Sequence, residues 1–438
     1  MPSPDRGSRG VSRRDFVTAA VAIGGSAALS ACLDREVDDA DATATPSDAP
    51  RFPTGPGPES LPGRQHAWNR YLVSDAHGNT VLPQRQVVLG LEYVGSTPPT
   101  EAERTRVADA LASAERAYAW GTGGDPAAAV NDGLLTLFGY SNRYFERVGA
   151  PVDLRSPESV LEAVGEDPDR TDGFDALLLL SSDYGSILLE TEQALFGERD
   201  TLNGERMAGG LEDVFEIVER RSGVAGKGLP AEQLPDEDVP TSAPMSMGFR
   251  SSFADNQAPE DRVTRQDGPF AGATTLLASR LHIDLDRWYD QSVDERVGEM
   301  FCPAHDADDV GETGARLGSD SGITEADADR VAEDAAEYGV VGHGQKVARA
   351  RDDDFEPRIL RRTEGVAGDV DDGAGFNFHS VQRDLDAFVD TRLAMNPDEY
   401  DDDVPAERHG IADYLETVAR GTFLVPPRER RALPVHEP

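Results

Sequence analysis

His343 lies near the start of a segment in which positive charge is concentrated, and it is the only histidine of that segment. The segment reads GHGQKVARARDDDFEPRILRR from Gly342 to Arg362. The chain as a whole is strongly acidic, with 82 Asp and Glu against 42 Lys and Arg and a formal net charge of −40. A neutral imidazole can ligate a metal, and cationic side chains pair with carboxylates. The residues alone leave a second interpretation open, a loop of alternating charge held together by salt bridges.

The two cysteines, Cys32 and Cys302, are too few for a disulfide framework. Cys302 lies in MFCPAHD, where it and His305 would supply two metal ligands on one loop with no second pair nearby. Structural zinc sites need four ligands, so this loop is a weak candidate for a metal site. One cysteine in the body of the chain cannot form an internal disulfide, and the fold must therefore depend on its core.

The N-terminal segment has the pattern of a targeting signal. Arg13 and Arg14 form a pair in SRRDFV, an apolar run follows from Phe16 to Leu29, and LSAC ends at Cys32. This order is typical of a twin-arginine signal that ends in a lipobox, and the run is too short for a permanent membrane span. We expect residues 1–32 to be the signal peptide, with lipidation at Cys32. The mature protein would then be anchored on the outer face of the cytoplasmic membrane. The alternative is an ordinary signal peptide with an incidental cysteine.

The distribution of charge restricts the partners of the protein. Acidic residues are spread along the whole chain and lysines are scarce, a pattern typical of halophilic proteins, because concentrated salt screens a dense negative surface. Such a surface repels nucleic acid, and we expect no nucleic-acid partner. Residues 33–62, rich in Asp, Ala, Pro and Gly, predict a disordered linker. The chain is 38% hydrophobic, which is enough for a sizeable core and argues against an acidic disordered protein.

The hydrophobic pattern of the first half, residues 63–230, predicts alternating strands and helices. The first helix should begin at Thr100, with Glu103 closing a capping box. Residues 211–223 fit either a helix or a strand. The order strand, helix, strand, strand, helix, strand is typical of the ferredoxin-like fold. The predicted strands are 85–94, 132–141 and 175–183, and the predicted helices are 100–120, a short one near 142–149, and 184–197.

The second half, residues 231–438, predicts a variation on the same arrangement. A long helix should begin at Asp284, and residues 306–337 form an acidic insertion without a strong pattern. Together the halves predict an α+β protein with antiparallel sheets and helices on the outside. The predicted strands are 243–250, 274–285, the start of 375–395 and 421–427, and the predicted helices are 284–301 and the end of 375–395.

Four segments of this pattern resemble one known family in their order and spacing. They read LLTLFGYSNRYFE, FDALLLLSSDYGSILLETEQAL, GPFAGATTLLASRLHIDLDRWY and GFNFHSVQRDLDAF. They resemble the dye-decolourising (DyP-type) peroxidases, haem proteins built from two ferredoxin-like halves, and the resemblance covers roughly Gln86 to Pro427. It implies a dimeric α/β-barrel-like architecture, one haem b, and oxidation of a small-molecule electron donor by hydrogen peroxide. It leaves the oligomeric state and the donor open.

The resemblance also implies roles for the basic segment. His343 would ligate the haem iron, although the family's run aligns Gly344 with the ligand position and places His343 one residue early. Arg361, in RILRR, takes the place of the family's distal arginine, which stabilises negative charge as the peroxide bond breaks. The neighbouring cations would pair with the haem propionates; they are Lys346, Arg349, Arg351 and Arg362.

The chain departs from the family at the distal acid. The family has an aspartate two residues after Gly-Phe, where this chain has Ser251 in MGFRSSFADN. A serine hydroxyl has no pKa suited to moving protons near neutral pH, although it can hold a water molecule. Asp255, four residues later, is a candidate substitute. Two alternatives to a peroxidase follow: a haem-binding or haem-transfer protein without enzymatic activity, and a scaffold of the same fold that binds no haem.

Overall fold

The structure is a computed structural model, and its main folded unit is Ala49–Pro438. Residues 1–48, including the predicted signal peptide and Cys32, lie outside the described part. No helix among the described residues is long and apolar enough to cross a membrane. The described residues are 49–75, 79–121, 130–226, 229–234, 239–244, 246–249, 257–305, 307–311, 313–314, 321–367, 374–396, 404–405 and 408–435.

Eight antiparallel strands close into a barrel. Around the barrel the strands follow the order β1-β3-β2-β8-β5-β7-β6-β4. The strands are β1 (Arg85–Tyr93), β2 (Leu135–Tyr140), β3 (Ala176–Ser182), β4 (Phe215–Val224), β5 (Thr274–Ile283), β6 (Leu360–Ala367), β7 (Ala374–Gln382) and β8 (Leu415–Val425). A separate two-stranded hairpin pairs Thr201–Leu202 with Glu205–Arg206.

The barrel consists of two halves with the same strand order. The first half runs β4-β1-β3-β2 and the second runs β8-β5-β7-β6. If the strands of each half are numbered one to four along the chain, both orders read 4-1-3-2, as in a ferredoxin-like fold. The predicted fold class is therefore confirmed. The undecided segment 211–223 contributes strand β4.

Helices cover the outside of the barrel. The predicted capping box at the start of the first helix is present, with Glu103 N–H donating to the Thr100 hydroxyl and the Glu103 carboxylate accepting from Thr100 N–H. The helices are α1 (Glu101–Ala117), α2 (Asn142–Arg147), α3 (Pro157–Ala163), α4 (Gly185–Leu195), α5 (Leu229–Gln233), α6 (Leu285–Tyr289), α7 (Val293–Met300), α8 (Ala307–Val310), α9 (Glu325–Asp329), α10 (Val331–Tyr338), α11 (His343–Arg349) and α12 (Asp386–Leu393). Short 3₁₀ helices lie at Pro58–Ser60, Asn69–Tyr71, Gly410–Tyr414 and Arg428–Arg430.

Several predicted elements of the second half were wrong. The predicted strand 243–250 does not form among its described residues, and Gly248 there adopts a φ of 87°. The predicted helix 284–301 is two helices, because Ser292 begins a second capping box with Glu295. The acidic insertion contains the short helices α8 and α9 and most of α10. Strand β6 was not predicted.

Residues alternate between the inside and the outside of the barrel, as the pleat of a strand requires. The inward set forms one apolar cluster that includes Val88, Leu137, Leu179, Leu276 and Phe423. Trp68 and Trp120 pack against the same cluster. The outward set of the first half packs under α1 and α4; it includes Val87, Leu89, Leu178 and Leu180, each no more than 3% exposed.

The two halves meet at two seams where few strand residues pair. At the first seam only Leu424 of β8 and Tyr140 of β2 are partners. The buried side chain of Gln65 bridges this seam, since its Nε2 donates to Phe138 O (3.1 Å) and Pro426 O (2.8 Å), and its Oε1 accepts from Phe138 N (3.1 Å). At the second seam only Val224 and Val366 are partners.

The ordered body begins earlier than the predicted linker boundary at residue 62. The ring of Phe52 packs against Tyr118 and Tyr184, with centroids 6.0 and 5.1 Å apart. Gly55 N donates to Arg116 O at 3.0 Å. These contacts place residues 52–62 on the folded body.

Candidate functional site

The outer face of the second half is covered less completely than that of the first. Leu281, Phe376 and Phe378 point outward here, because the alternate residues Ala278 and His379 face the barrel interior. All three apolar side chains are only half-buried. We call this surface, defined by Leu281, Phe376 and Phe378, the second-half face. It presents apolar surface where the matching face of the first half is sealed by helices.

His343 is the first residue of helix α11, and its ring is half-buried. Part of the His343 side chain remains accessible to solvent. No hydrogen bond to it comes from the described part of the chain. Burial, and then the positive charges of Lys346 and Arg361, lower the pKa of His343 to about 3. The imidazole is therefore neutral near pH 7, the form that ligates metals.

Gly344, the residue that the family alignment places at the ligand position, has no room for a side chain. A Cβ atom at Gly344 would collide with Ile323 Cδ1 and would lie 2.9 Å from Phe301 O. Position 344 therefore faces the packed core beneath helix α11. The His343 side chain, one residue earlier, is partly exposed.

Arg361 lies on strand β6 close enough to His343 for its charge to lower the histidine pKa. Its strand partner is Ser380, which precedes Val381 and belongs to the outward set with Phe378. The arginine side chain is half-buried. The structure thus brings the predicted ligand and the predicted distal arginine into one neighbourhood.

Arg362 does not occupy the predicted position beside a haem propionate. The side chain is fully buried, and its guanidinium donates to Asn69 Oδ1 (2.9 Å), to Glu260 Oε1 (2.9 Å) and to His66 O. Its Cζ lies 5.1 Å from the centroid of the Trp68 ring. Burial lowers the pKa of Arg362 to about 10. These contacts make Arg362 a structural link between β6 and the N-terminal segment.

Lys346 is also committed to protein contacts. The side chain is fully buried, and its Nζ donates to Met395 O (2.9 Å) and to His409 O. Burial lowers the pKa of Lys346 to about 7. This arrangement does not favour the predicted role of Lys346 as a propionate partner.

The two remaining predicted propionate partners lie at the end of helix α11 and just beyond it. Arg351 donates to Phe355 O (3.0 Å) and stacks 4.7 Å from the centroid of the Phe355 ring. Arg349 is half-buried in the last turn of the helix.

Ser251 and Asp255 lie outside the described residues, but the residues on either side are described. Phe249 is buried, with ring centroids 6.3 Å from Trp288 and 5.8 Å from Phe301. At the other end, Gln257 Oε1 accepts from Arg361 N at 2.6 Å. The segment that carries both candidate distal residues therefore starts at the helical layer and ends beside Arg361.

Sequence reasoning missed two residues of this neighbourhood. Gln257 comes directly after the MGFRSSFADN segment, and no sequence pattern marks it as a functional residue. Glu299 lies on helix α7, and its backbone is close to that of His343, because a Cβ at Gly410 would lie 3.0 Å from His343 N and 3.2 Å from Glu299 O. The Glu299 side chain is 1% exposed. A buried carboxyl inside an acidic helix cannot be distinguished in sequence from its exposed neighbours.

The side chains around His343 suit a metal ion that a cofactor already binds through most of its ligands. Within the described ranges, no three His, Cys, Asp or Glu side chains are grouped so that they could hold a metal ion. A single neutral imidazole, a fixed cation and a half-exposed apolar face fit an iron-porphyrin, whose macrocycle supplies four nitrogens and a flat apolar surface. The residues present therefore fit the haem that the resemblance implies.

Comparison with solved structures identifies the fold class. Ferric DtpA from Streptomyces lividans matches with a TM-score of 0.51 and 16% identity, over 88% of this chain and 96% of that one. A DyP-type peroxidase from Streptomyces coelicolor matches with a TM-score of 0.50 and 15% identity, over 88% and 96% of the two chains. At such identities the similarity shows the fold alone. The protein has the DyP-type fold.

The sequence also matches one family model. Residues 83–427 match the model of DUF7405, a family of unknown function, and the chain belongs to that family. Comparison with curated proteins finds no match.

Proposed function

We propose that the protein binds one haem against the second-half face and uses hydrogen peroxide to oxidise a small-molecule donor. The observation that carries this proposal is the neutral His343 ring, which has no hydrogen-bond partner in the described chain and lies within electrostatic range of Arg361. The DyP-type fold supports the same function. Export by the twin-arginine route and lipidation at Cys32, which would place the reaction outside the cytoplasmic membrane, form part of the proposal.

Each residue has a defined task in this scheme. Bound haem would supply an iron at which peroxide is reduced. His343 holds the metal through a neutral ring nitrogen, and its low pKa keeps that nitrogen free of a proton. Arg361 provides a permanent positive charge, because a guanidinium does not lose its proton near neutral pH. That charge stabilises the negative charge that develops on the departing peroxide oxygen.

Of the steps in this scheme, proton transfer has the least support from the residues present. Ser251 stands where the family has a carboxylate, and a serine can only hold a water that carries the proton. Asp255 is the nearest carboxylate in the same segment. This substitution favours a second candidate function, haem binding or haem transfer without peroxidase turnover.

Spectroscopy of the purified protein in high salt with added haem separates these functions. We expect a Soret band in the wild type, its loss in His343→Ala, and its retention in His282→Ala, a matched control on strand β5. Arg361→Leu should keep the band and reduce peroxide-dependent dye oxidation by about a hundredfold, since the loss of one charge-stabilising donor typically costs this much. A Soret band without turnover in the wild type would support haem binding or transfer. Absence of the band would contradict both haem functions.

A further inference from the structure

Arg361 lies at a break in the regular strand ladder. Arg361 pairs with Ser380 of β7 and Thr363 pairs with His379, so Arg362 is an extra residue in β6 without a partner. Such a β-bulge disrupts the ladder and redirects the side chains beside it. The direction of the Arg361 side chain therefore depends on the contacts that hold residues 361 and 362.

On the inner side of the bulge, Arg362 is fixed in place. It donates to Asn69 Oδ1 and Glu260 Oε1, both at 2.9 Å, and is fully buried. These contacts anchor one of the two residues at the bulge.

On the seam side, Gln257 supplies that contact. Its Oε1 accepts from Arg361 N at 2.6 Å, and Ala258 N donates to Ile359 O at 3.2 Å. Residues 257 and 258 thus take the place of a neighbouring strand along an edge of β6 where β4 pairs only at Val224. Gln257 is the side chain that satisfies the Arg361 amide at this gap.

We propose that Gln257 is a positioning residue for Arg361. It touches the arginine backbone and neither iron nor peroxide, and the inference rests on the proposed function of Arg361. Without this acceptor, the bulge would lose one of its two fixed points. A displacement of about 1 Å in a charge-stabilising group is enough to weaken its effect by one to two orders of magnitude.

Fluoride affinity of the ferric, haem-loaded protein tests the positioning role without requiring turnover. An anion bound by the haem iron would be stabilised by the Arg361 charge if the two lie close together. We expect Gln257→Ala to weaken fluoride binding by about tenfold and Arg361→Leu by about a hundredfold. In the double variant the Gln257 substitution should have no further effect, because the group that it positions is absent. Gln266→Ala, an exposed glutamine on the same loop, should bind fluoride like the wild type.

Hydrogen exchange provides a measurement that needs no haem. Gln257→Ala should speed amide exchange in the peptide that contains Arg361, in both apo and haem-loaded protein, while Gln266→Ala should not.

Unchanged exchange in that peptide would overturn the inference. An unchanged fluoride affinity in Gln257→Ala, together with a weaker affinity in Arg361→Leu, would also overturn the inference. The proposed function would then stand. An equal loss in wild-type and Arg361→Leu backgrounds would also overturn the inference, since that pattern reflects a general structural effect. A wild type that binds no haem would overturn the proposed function and the inference together.

Discussion

At the scale of single residues, the carboxyl of Glu299 is a buried titrating group next to the candidate site. Burial is the main cause that raises its pKa to about 7, against hydrogen bonds from Tyr414 and Gln291 that lower it. Its Oε2 has no hydrogen-bond partner among the described residues. The folded protein therefore keeps this carboxyl protonated over a range in which the unfolded chain ionises it.

This difference predicts how stability depends on pH. The folded pKa of Glu299, about 7, lies above the ordinary value of 4.5. The protonated carboxyl therefore contributes its full stabilisation of the folded state below about pH 4.5, and this stabilisation is lost as the pH rises towards 7. Glu299→Gln keeps a neutral side chain at every pH. We expect its free energy of unfolding, relative to wild type, to rise between pH 4.5 and 7 by at most about 3 kcal/mol.

Glu295 on the same helix is the matched control for this measurement. Its hydrogen bonds to Ser292 lower its pKa, so its contribution to stability is present above the ordinary pKa and is lost in acid. Chemical denaturation of wild type, Glu299→Gln and Glu295→Gln from pH 4.5 to 8 at constant salt should show a rising stability of Glu299→Gln relative to wild type and an almost constant difference for Glu295→Gln. Parallel curves for wild type and Glu299→Gln would contradict the assignment of a buried, protonated carboxyl.

The sequence indicated which segment carries positive charge but not which cations face the site. Lys346 lies three residues after His343, yet its Nζ binds carbonyl oxygens of Met395 and His409. Arg361 and Arg362 are adjacent and have different roles, because a β-bulge separates their environments. Such outcomes depend on contacts with residues 49 to 296 positions away in sequence, and no local pattern encodes them.

At the scale of elements, Gln65 performs the task that strand pairing performs elsewhere in the barrel. Three hydrogen bonds from its buried amide join Phe138 of β2 to Pro426, which follows β8. Replacement by alanine would leave two carbonyls and one N–H buried without partners. We expect Gln65→Ala to lower the free energy of unfolding by at least about 3 kcal/mol, since each of the three buried polar groups left unpaired costs about 1–3 kcal/mol.

Urea denaturation of Gln65→Ala and of Gln84→Ala measures this effect against a control. Gln84 is exposed at the start of the same barrel, and its loss should change stability by less than about 0.5 kcal/mol. A Gln65→Ala variant as stable as the control would show that strand pairing alone closes the first seam.

Most strands were predictable and the connections between them were not. Short continuous apolar runs such as 176–180 are typical of strands buried on both faces when they are bounded by polar residues. Strand β6 begins Leu-Arg-Arg-Thr and has no such run, so it was missed. The seams were also missed, since Gln65 and Gln257 act through tertiary contacts across the barrel.

At the scale of the whole molecule, the two halves share a strand order and differ in how their outer faces are covered. In the first half, helices α1 and α4 seal Val87 and Leu180 against the sheet. In the second half, Phe376, Phe378 and His343 remain partly exposed. Duplication of one fold therefore accounts for the stable closed barrel, and the divergence of one half accounts for the candidate site.

The net charge of −40 predicts a salt-dependent stability. Like charges at this density repel one another in the compact state more than in the unfolded chain. Salt shortens the range of that repulsion, from a Debye length of about 8 Å at 0.15 M to about 3 Å at 1 M. We expect the thermal unfolding midpoint to rise by more than about 5 °C between 0.15 and 2 M KCl, because a change of 1 kcal/mol in stability already shifts the midpoint of a large domain by about 2–4 °C.

Circular dichroism melts in KCl, NaCl and choline chloride at equal ionic strength distinguish screening from binding of a particular cation. Screening depends on ionic strength, so the three salts should raise the midpoint by similar amounts. A rise confined to KCl or NaCl would instead indicate specific cation sites on the acidic surface. A midpoint that does not change with any salt would mean that the acidic residues are already compensated by the ion pairs of the folded chain, and the inference of adaptation to high salt would be wrong.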